Sequence, residues 1–237
     1  MNKKSLLLLL ALSCTALSSV AYAADDKPNF SEEKLTGNWG GARDRLFEKG
    51  YDLDFTYKAD AWRNFTGGAK KGNRSLDNLD LKMTVDGDKA FGSKGTTLYM
   101  YLLHNYGKKP NDLTSTNGGV DNIEPGTHSL KIYEAWVQQN FMGDKFSFLV
   151  GLHDLNTEFY ATDTSGLFIN PTYGIGTEMS ATGDNGPSIF PYTSLAARIA
   201  IKPTDSTYVQ VAAFDGVPGD PNHPTGTKIK LSRNDGA

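Results

Sequence analysis

The sequence predicts an all-β fold, an antiparallel transmembrane β-barrel preceded by one short helix. Three observations support this prediction: a secretory leader opens the chain, apolar and polar residues alternate through seven or eight segments of strand length, and short connections alternate with long ones. Successive side chains point to opposite faces of a strand, so each segment would have one apolar and one polar face. Such strands suit a barrel that lies in lipid around a water-filled lumen.

The leader is predicted at residues 1–23. The chain begins with the basic pair Lys3 and Lys4, continues with an apolar run at 6–12, and reaches the sequence Ala21-Tyr22-Ala23. A basic start, a short apolar centre and a small-residue end are typical of a signal peptide, and the run is too short for a spanning helix. The only cysteine, Cys14, lies in this leader, so we expect no disulfide and no thiol nucleophile in the exported part.

Residues 24–50 are predicted to form a periplasmic N-terminal segment with one short helix. Good helix formers occupy 42–49, and Gly50 is placed to end the helix. Tyr51 then begins the first strand, at 51–61, whose odd positions are apolar or aromatic and whose even positions are mostly charged. A charged row of this kind is more typical of a barrel lumen than of the exposed face of a soluble sandwich.

Further strands recur between stretches rich in turn residues. The alternation predicts them at 75–86, 96–105, 130–141, 145–154, 194–202 and 207–214, with the start of an eighth at 228–231. The connections at 86–95 and 142–145 are short, whereas those at 106–129 and 156–193 are long and rich in Gly, Pro, Asn and Thr. Short turns at one end and long loops at the other are typical of outer-membrane barrels.

The composition argues against several classes of function. The formal net charge is −3 and no basic run occurs, which argues against a nucleic-acid partner. The sequence contains no Gly-x-Ser-x-Gly turn, and its histidines do not have the spacing of metal ligands; they are His104, His128, His153 and His223. We therefore predict that the protein is not an enzyme and uses no metal and no cofactor.

Seven or eight strands are expected to be part of a larger barrel. The last seven residues, 231–237, have the composition of a turn and not of a closing strand. An open sheet in hydrocarbon would leave backbone groups unpaired, at a cost of several kcal/mol per group. We expect residues 51–237 to be a partial barrel, from either a truncated gene product or an incomplete record, and a non-functional fragment is one alternative.

Several motifs resemble those of the carbohydrate-selective porins of the OprB type. They are spread in order from about residue 35 to the end of the chain. The matching segments are LTGNWGGAR at 35–43, FEKG at 47–50, YEAWVQQ at 133–139, GLHDLNTEF at 151–159, SGLFIN at 165–170 and FDGVPGDP at 214–221.

The resemblance implies a sixteen-stranded barrel in the bacterial outer membrane, of which this chain would supply the N-terminal portion. It also implies passive diffusion of sugars, with glucose-type monosaccharides as the solutes. The expected partners are those sugars and the outer-membrane lipid, and a homo-oligomer is left open.

Sugar passage needs particular side-chain chemistry along the lumen. Charged and amide groups hydrogen-bond to hydroxyls, aromatic rings pack against the C–H face of a pyranose, and weak repeated contacts allow diffusion. In the strand at 130–141 we expect Glu134, Trp136 and Gln138 to face inward and Tyr133 to face outward. The candidates are Glu134, Trp136, Asp154, Asn156, Glu158 and Arg198, with Asp60 and Trp62 as weaker members.

Each candidate has a simpler interpretation. Glu134 and Arg198 could pair with each other across the wall, and Trp136 could belong to an aromatic girdle at the membrane interface. The Asp154-x-Asn156-x-Glu158 pattern could cap a loop or form a partial calcium loop, although it lacks the remaining ligand spacing and the glycine of such a loop.

A rival hypothesis is a secreted, soluble β-sheet protein that binds carbohydrate or hydrolyses glycosides. Hydrolysis would need only two well-placed carboxylates, which the chain could supply. A soluble sandwich, however, would need a second layer of structure to cover the apolar strand faces. The sequence offers no segment for that layer.

Overall fold

A computed structural model describes residues 27–124, 128–162, 164–204, 206–229 and 231. The leader predicted at 1–23 lies outside the described residues. Seven strands form one antiparallel sheet in which every strand pairs with its neighbours in sequence. They are β1 (Tyr51–Asn64), β2 (Gly72–Asp86), β3 (Thr96–Gly107), β4 (Ser129–Phe141), β5 (Phe146–His153), β6 (Ser194–Thr204) and β7 (Thr207–Phe214). The predicted antiparallel all-β fold is confirmed. The eighth strand predicted to start at 228–231 is not found in the described residues of that stretch, because 228, 229 and 231 are not in a strand.

One face of the sheet carries rows of apolar side chains. Phe148 of β5 lies opposite Ile199 of β6, which lies opposite Val211 of β7. These side chains are 38%, 44% and 67% exposed. Within the described ranges no second sheet packs against this face, so the cover that a soluble sandwich requires is missing from that part of the chain. We call this the outer face.

The opposite, inner face carries polar and aromatic side chains beneath the long loops. A buried cluster of Tyr101, Leu103 and Tyr133 packs here against Tyr99 and Phe190. Long loops are needed to bury these groups, because the inner face of a single sheet has no other partner.

The segment before β1 contains α1 (Phe30–Glu33) and α2 (Ala42–Glu48), so the predicted helix at 42–49 is confirmed. Arg43 is buried, lies 4.3 Å from the centre of the Trp39 ring, and donates a hydrogen bond of 3.3 Å to the backbone oxygen of Leu53 in β1. The Nζ of Lys34 lies 2.6 Å from Oδ1 of Asp54. These contacts fix the helix against the first strand.

From β2 onward the connections alternate in length as predicted, whereas the β1–β2 connection at 65–71 is shorter than the β2–β3 connection at 87–95. At one end of the sheet lie α3 (Gly87–Phe91), the turn at 142–145 and the tight β6–β7 connection. At the other end, the β3–β4 loop contains α4 (Asn111–Thr114). In its described residues the β5–β6 loop contains α5 (Thr177–Ser180) and three 3-10 helices, at Leu155–Thr157, Ser165–Leu167 and Pro171–Tyr173. Before α2 there is a further 3-10 turn at Trp39–Gly41. Among the described residues, no helix has both the length and the apolar character to cross a membrane.

Candidate functional site

The candidate site lies on the inner face of β4, β5 and β6, where the β5–β6 loop begins. Arg198, in the middle of β6, is buried and donates from Nε and Nη2 to the two carboxylate oxygens of Glu158, at 2.8 and 2.6 Å. It also donates to Gln138 of β4 at 2.6 Å and to Ser147 of β5 at 2.5 Å. This paired geometry is the strongest that a guanidinium makes with a carboxylate. Arg198 therefore ties the start of the loop to three strands.

His153, at the end of β5, lies between two carboxylates. Its Nδ1 is 3.0 Å from Oε1 of Glu134, and its Nε2 is 3.4 Å from Oε2 of Glu158. The Nδ1 contact is a hydrogen bond, and the longer Nε2 contact lies at ion-pair distance. His153 thus joins Glu134 to the Glu158–Arg198 pair. The alternative in which Glu134 and Arg198 pair directly is wrong, because Arg198 bonds to Glu158 instead.

On β4 the alternation misplaces Tyr133. Tyr101 of β3 lies opposite Glu134 of β4, but the next residue of β3, Leu102, lies opposite Ile132. Tyr133, between Ile132 and Glu134, therefore has no partner in the register and is the extra residue of a β-bulge. The prediction that Tyr133 faces outward is wrong: the side chain is 2% exposed, and its hydroxyl donates to Oδ2 of Asp154 at 2.6 Å. A bulge redirects side chains in this way because one strand has one residue more than its partner.

Asp154 caps the first turn of the β5–β6 loop. Its Oδ1 accepts the backbone N–H of Asn156 at 2.8 Å, while its own backbone N–H donates to Glu134 at 3.0 Å. β5 ends at His153 and a 3-10 turn follows, so Asp154, Asn156 and Glu158 lie at the start of the loop. The alternative of a loop cap is confirmed. Within the described ranges, no three His, Cys, Asp or Glu side chains are grouped so that they could hold a metal ion.

The two loop carboxyls have opposite electrostatic environments. Burial raises the pKa of Asp154 above its ordinary value, and the charge of Glu134 adds to this shift. Burial alone would also raise the pKa of Glu158, but hydrogen bonds from His153 and Arg198 outweigh it and lower that pKa below 4.5. Glu158 is therefore ionised at neutral pH, which suits its pairing with a guanidinium.

Trp136 supplies an aromatic surface beside the charged groups. Its ring stacks on Tyr99 of β3 with centres 4.9 Å apart, and it lies edge-on to His153. The backbone next to it belongs to Gly151, where an added Cβ would come within 2.2 Å of the Ala135 oxygen. The indole Nε1 is buried and has no hydrogen-bond partner in the part of the chain that the structure describes. Its stacking on the inner face argues against a position in an interface girdle.

Asp60 and Trp62 form a separate group near the end of β1. The indole Nε1 of Trp62 donates to Oδ2 of Asp121 at 2.5 Å, and Asp60 also interacts with Asp121. Asp121 is buried in the β3–β4 loop. The structure therefore brings these two predicted residues together with each other, but not with the group around Arg198.

Sequence reasoning missed a ladder of polar contacts across β1, β2 and β3. Asp80 accepts a hydrogen bond from the Tyr101 hydroxyl at 2.6 Å and lies 2.9 Å from the Lys58 Nζ. Asn78 donates to Asp80 and accepts from Asn105, which extends the ladder along the inner face. The alternation at 75–86 places Asp80 on the polar face. Its partner on β3 was not predicted, because the polar face of β3 is aromatic and did not suggest a hydrogen bond to Asp80.

The arrangement provides a polar wall, but its charges are not equally accessible. The side chains of Glu134, Glu158 and Arg198 are 5%, 15% and 4% exposed. Glu158 and Arg198 bond to each other, whereas Glu134 bonds to His153 and to the Asp154 backbone. Trp136, Asn156, Asp60 and Trp62 are partly open. The buried group can hold the loop in place, and the open residues can contact a solute. Which of the predicted residues contact sugar stays a prediction.

Comparison with known proteins identifies the family of this chain. The profile of the carbohydrate-selective porin, OprB family, matches residues 70–237. Porin B of Pseudomonas aeruginosa is 27% identical over 94% of this chain and 50% of its own length. A putative porin, QuiX, of Acinetobacter baylyi is 26% identical over 62% of this chain and 36% of its own length. The chain thus spans half or less of the length of these curated relatives.

Solved structures agree in fold. A high-pH structure of Pseudomonas putida OprB superposes with a TM-score of 0.65 and 20% identity, over 81% of this chain and 46% of that one. The low-pH structure gives a TM-score of 0.51 at the same identity, over 76% and 50%. The seven-stranded antiparallel sheet therefore corresponds to part of a porin β-barrel. With the profile match over most of its length, the chain belongs to the OprB family of carbohydrate-selective porins.

Proposed function

We propose that the chain forms part of the wall of an outer-membrane channel through which glucose-type monosaccharides diffuse passively. In this proposal, residues 1–23 are removed on export, residues 24–50 lie in the periplasm, and residues 51–237 form part of a barrel that further strands close. Membership of the porin family supports the channel. The chain's share of its relatives' length supports a partial barrel.

The observation that carries the proposal is the difference between the two faces of the sheet. The outer face exposes Phe148, Ile199 and Val211, while the inner face buries ion pairs and polar ladders beneath loops. An apolar face without protein cover is stable only when hydrocarbon covers it. The inner face would then line the aqueous path.

The site has two roles in this proposal. The Arg198–Glu158 pair, with His153 and Glu134, holds the β5–β6 loop against the inner wall and so sets the width of the path. Partly open groups such as Trp136 offer weak contacts to a passing sugar, with the aromatic ring packing against the C–H face of the pyranose. Contacts of this kind assist diffusion because none of them is tight enough to stop it.

Liposome swelling tests the proposed activity. Protein expressed from the complete reading frame, with any DNA downstream of Ala237 included, is reconstituted into liposomes that are exposed to glucose or to a disaccharide. We expect faster swelling with glucose than with the disaccharide, and a change in this ratio in W136L. Equal exclusion of both sugars would overturn the proposal, as would equal entry of both.

A further inference from the structure

A groove of about 600 Å³ lies at the long-loop end of β1, β2 and β3. Small residues form its floor, because Ala61 of β1 lies opposite Ser75 of β2. Arg63, Tyr106 and Lys108 line it, all of them exposed. The backbone N–H of Lys108 donates to the Ser75 oxygen at 3.0 Å, which brings this lysine beside the floor. The groove is remote in sequence and structure from the group around Arg198.

The alternation of the strands places these side chains on the outer face. Asn78 and Asp80 of β2 are buried on the inner face, so odd-numbered Ser75 points the other way, together with its partner Ala61. Tyr106 lies opposite Asp77 and therefore shares that outward direction. Consistent with this direction, Arg63 and Ser75 are more exposed than their even-numbered neighbours in the strands.

The position along β1 places the groove just beyond the apolar band. Twelve residues separate Tyr51 from Arg63, which at about 3.3 Å per residue and a strand tilt of about 40° is roughly 30 Å along the membrane normal. The apolar band of such barrels is about 25 Å tall. Arg63 would therefore lie at the level of the lipid head groups, on the side of the long loops.

The groove carries positive charge that the described protein does not neutralise. No carboxylate in the described ranges lies within ion-pair distance of Arg63, Arg74 or Lys108. Arg74 also borders the groove, but its even-numbered position on β2 directs its side chain to the inner face, so Arg63 and Lys108 carry the charge of the outer part. Asp77 also lies on the outer face, two residues after Ser75 along β2 and closer to the apolar band.

Aromatic rings accompany these cations. The Arg63 guanidinium lies 5.0 Å from the centre of the Phe65 ring, and Tyr106 packs on His128 with ring centres 4.7 Å apart. Aromatic residues with basic neighbours are typical of the boundary between hydrocarbon and head groups. A ligand with both an apolar and an anionic part would meet both kinds of side chain here.

We infer that this groove binds the phosphate of an anionic lipid head group in the leaflet on the long-loop side. Arg63 and Lys108 would donate charge-assisted hydrogen bonds to phosphate oxygens, while Tyr106 and Phe65 pack against the adjoining part of the lipid. The inference rests on the proposed function in one respect, because the outer face must meet lipid for the head group to reach the groove.

Lipid titration of the full chain in a neutral detergent tests the inference, with bound lipid counted by native mass spectrometry. The probes are a diglucosamine lipid that carries two phosphates, the same lipid without phosphates, and inorganic phosphate as a competitor. The test variant is R63Q/K108Q. The matched control is K145Q/K202Q, which removes two exposed, neighbouring lysines at the short-turn end.

We expect the native protein to prefer the phosphorylated lipid by about tenfold, the test variant to lose most of this preference, and the control to keep it. Equal loss in both variants would overturn the inference, because general charge attraction would then explain binding. Equal affinity for both lipids would also overturn it, as would complete displacement by an equal concentration of inorganic phosphate. Sugar-driven swelling is measured separately, so a failed channel and a failed lipid site give different results.

Discussion

Replacement of Glu158 by glutamine tests how the β5–β6 loop is held. Glu158 accepts two hydrogen bonds from Arg198, at 2.8 and 2.6 Å, and it also lies 3.4 Å from His153. Glutamine has nearly the same shape but no charge. Its amide NH₂ group would face one of the two Arg198 N–H groups that donate to Glu158. The substitution therefore removes the ion pair while it changes the packing little.

The expected cost follows from the two bonds. A hydrogen bond to a charged group contributes about 1.5–3 kcal/mol and a neutral one about 0.5–1.5 kcal/mol. E158Q keeps one bond, from the charged guanidinium to a neutral amide oxygen, and replaces the other by a donor facing a donor, and Arg198 stays buried without its counter-ion. We expect a loss of about 3 kcal/mol from the docked state of the loop, roughly a hundredfold in its equilibrium constant.

Hydrogen–deuterium exchange measures this change directly. The backbone N–H groups of Leu155 and Phe159 are bonded at 2.7 and 2.8 Å to oxygens within the loop, so their exchange reports on loop opening. We expect much faster exchange in peptides covering 155–162 of E158Q. The control is E178Q, which removes an exposed carboxylate of the same loop that accepts from Tyr160. If both variants exchanged at the native rate, the ion pair would not hold the loop.

Three further changes test the packing of the inner face. Y133F leaves the buried Asp154 carboxyl without its hydroxyl donor, so thermal unfolding in detergent should show a loss of about 1–3 kcal/mol; an unchanged midpoint would contradict the bond. G151A would force a Cβ into the backbone of β4, whereas Gly166 has open space around it; we expect G151A to lower the unfolding midpoint and G166A to leave it nearly unchanged, and equal midpoints would refute this. Because the pKa of Glu158 is lowered from 4.5, its ion pair stabilises the folded state above about pH 4.5 and is lost as the pH falls through the lower, folded-state pKa. The stability difference between native protein and E158Q should therefore persist from pH 7 to 5 and vanish in stronger acid, and a difference that vanished above pH 5 would contradict the assignment.

Alternation alone predicted the strands well. All seven begin and end within three residues of the predicted positions, because a sheet with hydrocarbon on one side and water on the other imposes a strict period of two. The helix at Ala42–Glu48 was also predictable, since good helix formers precede a glycine there. These features depend on local patterns, which a sequence displays directly.

The connections within the site could not be predicted in the same way. The partner of Arg198 is 40 residues distant in the chain, and which of Glu134 and Glu158 it meets depends on how the loop folds. The bulge at Tyr133 adds one residue to β4 and has no signature in the alternation. Likewise, the sequence pattern indicates only that His153 lacks the spacing of a metal ligand, and its place between two carboxylates depends on the strand pairing and on the loop.

Single-cysteine labelling measures most directly which solvent each face of the sheet meets. Ala197 and Ala200 lie on the outer and inner faces of β6, opposite Ala213 and Gln210, and both carry the same small side chain. In reconstituted protein, a spin label on A197C should relax mainly with oxygen dissolved in lipid, and one on A200C mainly with a water-soluble nickel chelate. The opposite pattern, or equal contact of both labels with the nickel chelate, would contradict an outer face covered by hydrocarbon.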